Sequence, residues 1–341
     1  MTEEDAADAW RENPIPSPED SLIVRYFKPL ATDPGAFDLT DDAAILKSSG
    51  DDIVVTTDAI VEGVHFLPND PPDTIARKAL RVNLSDLAAK GATPAGFVLT
   101  LALRDADDAW LAPFARALGE DAATFGCPLL GGDTVSTPGP LMISITAFGR
   151  VLPGRMVRRS GAEPGDRVAV SGRIGDSALG LDILKGAAVA AVLAGDEAAV
   201  ESLIGRYRIP QPRVGLAQAI RDHASAAMDV SDGLAGDLKK LCSASGVSAV
   251  IDVQSIPLSA PAKTLLKCGV ATIEAILSGG DDYEILCTVP ENRFEAFEQA
   301  ADRAGIQMTS IGSVIAGSSA PTFIDALGAE IVLPRLSYSH F

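Results

Sequence analysis

The order of apolar runs along the chain limits its fold more than any other feature of the sequence. Runs rich in β-branched residues, which are typical of buried strands, occur at 52–60, 96–103 and 141–151. Amphipathic helical patterns lie between these runs, but strands and helices do not alternate strictly. Because a doubly wound parallel sheet needs that alternation, the pattern predicts an α/β chain of the α+β type with two domains.

A segment rich in Pro, Gly and Arg, residues 151–166, is the best candidate for a domain boundary. The chain has 341 residues, which is enough for two domains of ordinary size. The first twenty residues are polar and contain three prolines, so they should form a loose arm. We therefore expect an arm at 1–20, an N-terminal domain at 21–152 and a C-terminal domain at 153–341.

The chain is strongly acidic, and its charge restricts the partners it can have. A net charge of −18 argues against nucleic acid, because no basic stripe is available to displace the counterions of phosphates. The same charge should repel a phosphorylated substrate unless cations intervene. The apolar content of 47% excludes a disordered acidic protein, which would lack core-forming residues.

Cysteine usage and the apolar segments indicate where the protein resides. The four cysteines are scattered without a CxxC pair, which predicts reduced thiols in a cytoplasmic protein. The N-terminus is acidic where a signal peptide would be basic and then apolar. The longest apolar run, 187–194, is much shorter than the roughly 20 residues of a membrane span. We expect a soluble cytoplasmic protein that does not interact with membranes.

Aspartates recur beside glycines or at the ends of predicted strands, and this pattern points to a cation site. A carboxylate at a strand end is held rigidly, and a neighbouring glycine lets a ligand approach the backbone. Mg²⁺ prefers such oxygen ligands and takes its remaining contacts from waters and substrate phosphates. Carboxylates that share a cleft repel one another unless ions neutralise them. The positions are Asp41, Asp42, Asp58 with Thr56 and Thr57 before it, Asp86, Asp133, Asp229, Asp232, Asp281 and Asp282.

Each of these motifs also has an ordinary structural interpretation. Asp229 and Asp232 flank Ser231 ahead of a helical leucine pattern, so Ser231 or Asp229 could cap a helix instead of binding metal. Asp41-Asp42 alone is typical of a solvated turn, and Gly132-Asp133 of a hairpin turn. The joint occurrence of all the motifs favours a cation site.

Several common catalytic motifs are absent from the sequence. There is no GxxxxGK[ST] loop, no kinase combination of Gly-rich loop and HRD, and no HExxH. None of the three histidines has an evident nucleophile partner, and His65 is by default an ordinary polar contact. Arg158-Arg159 could be a solvated pair at the domain boundary or a cation that meets a nucleotide phosphate.

Eight segments, taken in order, resemble the thiamine-monophosphate kinase family. The match runs over nearly the whole chain, from SLIVRYF to the terminal SHF. GVHF, NLSDLAAKGA and DVSDGL together distinguish this family from aminoimidazole ribonucleotide synthetase and selenophosphate synthetase, which share its ATP-binding fold. The segments are DDAAIL, TTDAIVEGVHF, VNLSDLAAKGATP, GGDT, RRSGAEPGD, SGRIGDSALGL, MDVSDGL and GGDDYEI.

The resemblance implies a two-domain fold of the aminoimidazole ribonucleotide synthetase type, with N-terminal strands that pair in a homodimer. It implies ATP-dependent phosphorylation of thiamine phosphate to thiamine diphosphate, with ATP as co-substrate and several Mg²⁺ ions. Asp229 and Asp232 would be catalytic, and His65, Asp281 and Tyr338 would face thiamine phosphate. The residues implied for ATP are Gly132, Asp133, Arg159 and Ser231. The implied metal ligands are Asp42, Thr56, Thr57, Asp58, Asp86, Asp133, Asp229 and Asp232.

Two positions depart from the family pattern, and two other functions stay open. Leu39-Thr40 precede the first aspartate pair where the family usually has glycines, and Ser337 replaces the usual glycine before Tyr338. Tyr338 is equally well explained as an ordinary surface aromatic. The other functions are an amide-activating synthetase of the same superfamily and a non-catalytic protein that binds metal or nucleotide.

Overall fold

Two separate β-sheets organise the chain in the computed structural model, which describes residues 21–39, 44–47, 50–333 and 336. The expected arm at 1–20, Asp42 and Tyr338 lie outside these residues. The strands are β1 (Asp52–Val61), β2 (Thr93–Leu103), β3 (Leu129–Ser136), β4 (Met142–Val151), β5 (Arg167–Ser171), β6 (Ala226–Asp229), β7 (Ser248–Asp252), β8 (Ile285–Val289), β9 (Met308–Ile315) and β10 (Thr322–Ile324). One sheet has the order β1-β4-β2-β3 and the other β10-β7-β9-β5-β8-β6.

Helices pack against both sheets in the described part of the chain. The α-helices are α1 (Pro72–Ala89), α2 (Asp108–Phe125), α3 (Asp176–Leu184), α4 (Ala188–Val192), α5 (Glu197–Arg208), α6 (Ala217–His223), α7 (Leu234–Ser245), α8 (Ala260–Lys267), α9 (Ile273–Ser278) and α10 (Glu291–Arg303). A π-helical turn (Ile23–Phe27) and 3₁₀ turns at Lys28–Leu30, Pro34–Leu39, Val214–Leu216 and Val253–Ser255 complete the elements. None of the described helices has the length and apolar character to cross a bilayer. The two sheets and their helices confirm the mixed α/β fold class.

Helices cover only one face of the N-terminal sheet. Phe97, Leu101 and Ile143 point from this face into a core that contains Leu80 of α1 and Phe114 of α2. The opposite face is open in the described part of the chain. On β1 it carries Val55, which is 57% exposed, together with Thr57 and Ala59. Since β1 pairs only with β4, its other edge is also unpaired within the described chain.

The C-terminal sheet is buried on both faces, as its short apolar strands require. Along β5, Val168 and Val170 enter one core, which contains residues of α3, α5, α7, α8 and α9. Ala169 points the opposite way, into a second core that includes residues of α6 and α10. The last residues of α1, Ala88 and Ala89, also belong to this second core, so α1 joins the two halves of the chain.

Two local predictions were wrong. GGDT was expected to turn, with Gly132-Asp133 as a possible hairpin, but the segment lies inside β3. A Cβ on Gly132 would lie 2.0 Å from the backbone oxygen of Leu99, so the close approach of β2 requires a glycine there. Thr56, Thr57 and Asp58 were placed at the end of a strand, whereas β1 continues beyond them to Val61. The run at 52–60 predicted the strand to within one residue, so these three polar residues lie inside the strand and not at its end.

A buried ion pair joins α1 to α2 and gives a test of the N-terminal core. Asp121 is 1% exposed and accepts from Arg77 and from Arg81, whose Nε lies 2.5 Å away. Replacement of Asp121 by Ala leaves the largely buried guanidinium group of Arg81 without its carboxylate, while Arg77 keeps its pair with Glu120. We expect a loss of about 3 kcal/mol in the free energy of unfolding, measured by urea denaturation.

The control for this prediction is an exposed pair of the same kind. Arg155 and Asp222 are both about half exposed and lie 3.3 Å apart. Asp222→Ala should cost less than about 1 kcal/mol, because exposed ion pairs are weak. Equal losses in the two variants would contradict the assignment of Asp121 as the charge that stabilises the α1–α2 contact.

Candidate active site

Acidic side chains from both halves of the chain meet where α1 passes between the sheets. Asp58 and Thr56 lie on the same face of β1, because they are two residues apart on a strand. The hydroxyl of Thr56 donates to Oδ2 of Asp86 on α1 at 2.5 Å. Asn83, one turn before Asp86, accepts from the backbone N–H of Asp58 at 3.1 Å. These contacts fix β1 and α1 relative to each other.

The pKa values of the carboxyl groups show that Asp229 and Asp232 belong to the same cluster. Enclosure by the protein, and then the charges of Asp86 and Asp232, raise the pKa of Asp58 to about 6, although part of the residue stays open to solvent. Burial raises the pKa of Asp229 well above its usual range, and the charge of Asp86 is the next cause. Four carboxyl groups therefore sense one another across the two halves. We call Asp58, Asp86, Asp229 and Asp232 the acidic cluster.

The loop between β6 and α7 is held by a carboxylate for which the sequence predicted no role. Oδ2 of Asp237 accepts from the backbone N–H groups of Ser231 and Asp232, each at 3.0 Å. Lys240 donates to Asp232 at 2.5 Å and to Asp237 at 2.8 Å. The N-cap of α7 is Gly233, which has no side chain. The capping interpretation of Asp229 and Ser231 is therefore wrong, and both residues stay available to the site.

A cleft of about 460 Å³ opens beside the acidic cluster and has cationic walls. Thr56 and Asp86 line one side of it, and Lys90, Arg158 and Arg159 line another. Lys90 donates to the backbone oxygen of Ala227 at 2.7 Å. Burial and then the charge of Arg159 lower the pKa of Lys90 to about 8, so the amine is still mostly protonated at pH 7. A chain of phosphates fits a cleft with this charge pattern.

The structure does not bring Gly132 and Asp133 to the acidic cluster of the same chain. They lie on β3, at the opposite edge of the sheet from β1, which is about 14 Å away over three strand spacings. Asp133 pairs with Thr100 and so points to the open face of the sheet. Gly132 and Asp133 instead line a second cavity of about 240 Å³ beneath Phe27.

His65 and Asp281 meet at the other end of the acidic cluster. Nζ of Lys78 donates to the backbone oxygen of His65 at 2.8 Å and to Oδ2 of Asp281 at 2.9 Å. The backbone N–H of Val61 donates to Nδ1 of His65, so the neutral imidazole carries its proton on Nε2. Burial, and then the charges of Asp281, Asp58 and Asp229, raise the pKa of Tyr283 well above its usual range. Asp281 therefore lies close to the acidic cluster.

The chemistry of the acidic cluster fits a hard divalent cation. Among the described residues, no group of three or more His, Cys, Asp or Glu side chains is arranged to hold a metal. Burial, and then the charges of neighbouring carboxylates, nevertheless raise the pKa values of Asp58 and Asp229. Carboxylate and hydroxyl oxygens are ligands that Mg²⁺ prefers, and a divalent cation would relieve this repulsion.

Several residues of the site were missed in the sequence. Asn83 could have been found, since it lies three residues before Asp86 and hence on the same helix face. Lys78, Tyr283 and Asp237 were not assigned to the site, because their partners are set by long-range or loop contacts. The predicted residues Asp42 and Tyr338 lie outside the described part of the chain.

Comparison with known proteins gives the class of this fold. Residues 40–151 match the model of the AIR synthase related protein, N-terminal domain, and residues 163–323 match that of the C-terminal domain. A structure of HypE from Escherichia coli, a hydrogenase maturation protein, shares the fold at 20% identity, with a TM-score of 0.76 over 92% of this chain and 97% of that one. The fold and the acidic site thus define an AIR synthase related protein.

Nearer relatives share both sequence and length with this chain. A thiamine-monophosphate kinase of Caulobacter vibrioides is 43% identical over 100% of this chain and 97% of its own length. A crystal structure of the thiamine-monophosphate kinase from Stenotrophomonas maltophilia is 37% identical in sequence to this chain. Its TM-score is 0.75 over 84% of this chain and 89% of that one. A structure described as AaThiL complexed with AMPPCP and TMP is 29% identical, with a TM-score of 0.74 over 99% and 96% of the two chains. The chain belongs to the thiamine-monophosphate kinase family.

The acidic cluster can be tested by titration of metal-free protein. In Asp86→Asn the pKa of Asp58 should fall from about 6, because one of the negative charges that raise it is removed. It should stay above the ordinary value, since enclosure of Asp58 persists. Carboxyl ¹³C NMR measures the shift, and Asp302→Asn, on the exposed side of α10, is the control. An unchanged pKa in Asp86→Asn would show that the two carboxyl groups do not share a site.

Proposed function

We propose that this protein transfers a phosphoryl group from ATP to thiamine phosphate and so forms thiamine diphosphate. The observation that carries the proposal is the meeting of Asp58, Asp86 and Asp229, from both halves of the chain, beside a cleft with cationic walls. The relative bound to AMPPCP and TMP supports the choice of substrates, because it aligns with 99% of this chain.

Magnesium is part of this proposal. The residues proposed to hold it are the acidic cluster with Asp42, Thr56, Thr57 and Asp133. Thr57 and Asp133 lie on the open face of the N-terminal sheet, so their part in the site depends on the dimer proposed below. Bound Mg²⁺ would offset the negative charge of two phosphorylated substrates and so lower their mutual repulsion. The raised pKa values of Asp58 and Asp229 support the acidic cluster as the place where the ions bind.

The chain's own residues position the two substrates. Phosphoryl transfer through a loose transition state depends on in-line placement and charge neutralisation. The attacking oxygen belongs to a phosphate whose second pKa is about 6, so it needs no general base at neutral pH. We propose that Asp229 and Asp232 are catalytic by orienting the reacting groups. For ATP we propose Gly132, Asp133, Arg159 and Ser231, and for thiamine phosphate His65, Asp281 and Tyr338.

We further propose a homodimer formed through the N-terminal sheet. Support comes from the unpaired edge of β1 and from the open face that carries Ile53, Val55 and Val135, all of which are exposed. This assembly also offers a use for Asp133, which lies on the same open face, far from its own acidic cluster. In a dimer, Gly132 and Asp133 of one copy could approach the cluster of the other.

The domain boundary and the cellular location predicted from the sequence also remain proposals. A boundary at 152–153 agrees with the end of β4 at Val151 and the start of β5 at Arg167. A cytoplasmic location agrees with the four cysteines, which are all free and of which three are buried.

The activity has a direct test. Protein incubated with ATP, Mg²⁺ and thiamine phosphate should form thiamine diphosphate, and chelation of Mg²⁺ should stop the reaction. Asp232→Asn should lower kcat by about two orders of magnitude or more, because it removes a charge that positions the reacting groups. Its circular dichroism and urea midpoint should match the parent protein, since Asp232 is partly exposed. Asp302→Asn, on the surface of α10, is the control and should retain full activity. Wild-type kcat in Asp232→Asn would remove this residue from the mechanism.

The homodimer is tested by a charge on the open face. Val55→Glu should shift the protein from dimer to monomer in light scattering coupled to size exclusion, because a buried carboxylate at the contact is costly. Leu327→Arg is the control, since Leu327 is 92% exposed and lies far from β1 in sequence. A parent protein that is monomeric at high concentration would contradict the proposal.

A further inference from the structure

Lys78 is a lysine in the middle of α1 that is only 1% exposed. Lysine is rarely buried this deeply, because the ammonium group loses its hydration unless other groups replace the water. The mechanism proposed above does not use this residue. Its surroundings therefore need an explanation of their own.

Three partners surround the ammonium group of Lys78. The backbone oxygen of His65 lies 2.8 Å from Nζ and Oδ2 of Asp281 lies 2.9 Å away. The ring centroid of Tyr207 is 3.9 Å from Nζ, within the range of a cation–π contact. An ammonium group has three N–H bonds, so these partners can use all of its donors. Lys78 is thus placed to organise its neighbours and not to bind a ligand itself.

Asp281 depends on Lys78 for its charge balance and its orientation. Its Oδ1 accepts from the hydroxyl of Tyr283 at 3.2 Å, while Oδ2 accepts from Lys78. Its backbone has a φ of 69°, a conformation that non-glycine residues seldom adopt. The ion pair with Lys78 also offsets the negative charge of Asp281, which would otherwise repel an acceptor phosphate.

The contacts of Lys78 span both halves of the chain. His65 follows β1 in the N-terminal half, whereas Tyr207 ends α5 and Asp281 precedes β8 in the C-terminal half. The hydroxyl of Tyr207 also donates to the backbone oxygen of His65 at 3.4 Å. One ammonium group therefore fixes the separation of two residues that come from different sheets.

We infer that Lys78 is a positioning residue for the acceptor: through its single ammonium group it places His65 and Asp281 around thiamine phosphate. This inference rests on the proposed function, because it takes His65 and Asp281 as the residues that face this substrate. Lys78 acts only on the residues that face thiamine phosphate. The cleft lined by Arg159 lies on the other side of Asp86, and Lys78 does not line it.

Lys78→Met is the first test, because methionine has a similar length and no charge. The Kd for thiamine phosphate, measured by calorimetry, should rise by about tenfold or more, and the KM for thiamine phosphate should rise with it. The KM for ATP should change by less than about twofold, as expected if the nucleotide cleft is intact. A purely structural role would reduce the amount of folded enzyme, which lowers kcat and leaves both KM values unchanged.

The double variant Lys78→Met/Asp281→Asn removes both charges and keeps the test independent of folding defects. It should regain the urea midpoint that Lys78→Met loses, because the partly buried carboxylate of Asp281 is then no longer left unpaired, yet it should still bind thiamine phosphate more weakly than Asp281→Asn alone. Weaker binding is expected because the backbone oxygen of His65 has still lost the shorter of its two donors, the ammonium group of Lys78. Lys263→Met, on the exposed side of α8, is the control and should match the parent protein.

The outcomes separate this inference from the proposed function. An unchanged Kd for thiamine phosphate in Lys78→Met, or equal changes in the KM values for both substrates, would overturn the role of Lys78. A parent protein that binds thiamine phosphate but forms no thiamine diphosphate would refute the proposed function, while the Kd ratio still decides the role of Lys78. A parent protein that does not bind thiamine phosphate would refute both.

Discussion

Repulsion between Asp58, Asp86, Asp229 and Asp232 is the interaction around which the rest of the structure is arranged. Burial, and then the charges of neighbouring carboxylates, raise the pKa values of Asp58 and Asp229, so holding these groups together costs free energy in the absence of a cation. Apolar packing therefore has to keep these carboxyl groups close together. Helix α1 provides that packing, because Leu80 and Leu84 enter the N-terminal core while Ala88 and Ala89 enter the core of the other half.

The spacing of residues along α1 explains how one helix serves several parts of the site. Asn83, Asp86 and Lys90 are separated by three and four residues, so they share one face that looks toward β1 and the cationic cleft. Lys78 lies two turns earlier and reaches the acceptor side. The guanidinium groups of Arg77 and Arg81 turn away to Asp121 on α2. A shift of α1 would therefore disturb nucleotide cleft, acidic cluster and acceptor residues together.

Local patterns predicted the elements of this fold well, and long-range contacts account for what they missed. Helix α1 and strands β1, β2 and β4 follow from periodicity, because each buries one face or one stripe. GGDT appeared to be a turn because two glycines outweigh strand propensity locally, whereas the neighbouring β2 decides the conformation. The convergence of Asp58, Asp86 and Asp229 was inferred from their joint occurrence, but the separation of Asp133 from them depends on strand order. Lys78 looks like a solvated helical lysine until Tyr207 and Asp281, two partners more than 100 residues away, are known.

The left-handed backbone at Asp281 and Tyr283 has a consequence for how substrate preference could change. The N–H groups of these residues donate to the carbonyl oxygens of Ser231 and Val230, both at 2.8 Å. Two backbone hydrogen bonds therefore join the loop before β8 to the loop after β6. The two loops must shift as one body. A substitution that widens the room for a larger acceptor near Asp281 would then drag Asp232 with it. Substitutions around His65 should consequently change substrate selectivity more easily, because His65 is connected to these two loops only through the side chain of Lys78 among the contacts described above.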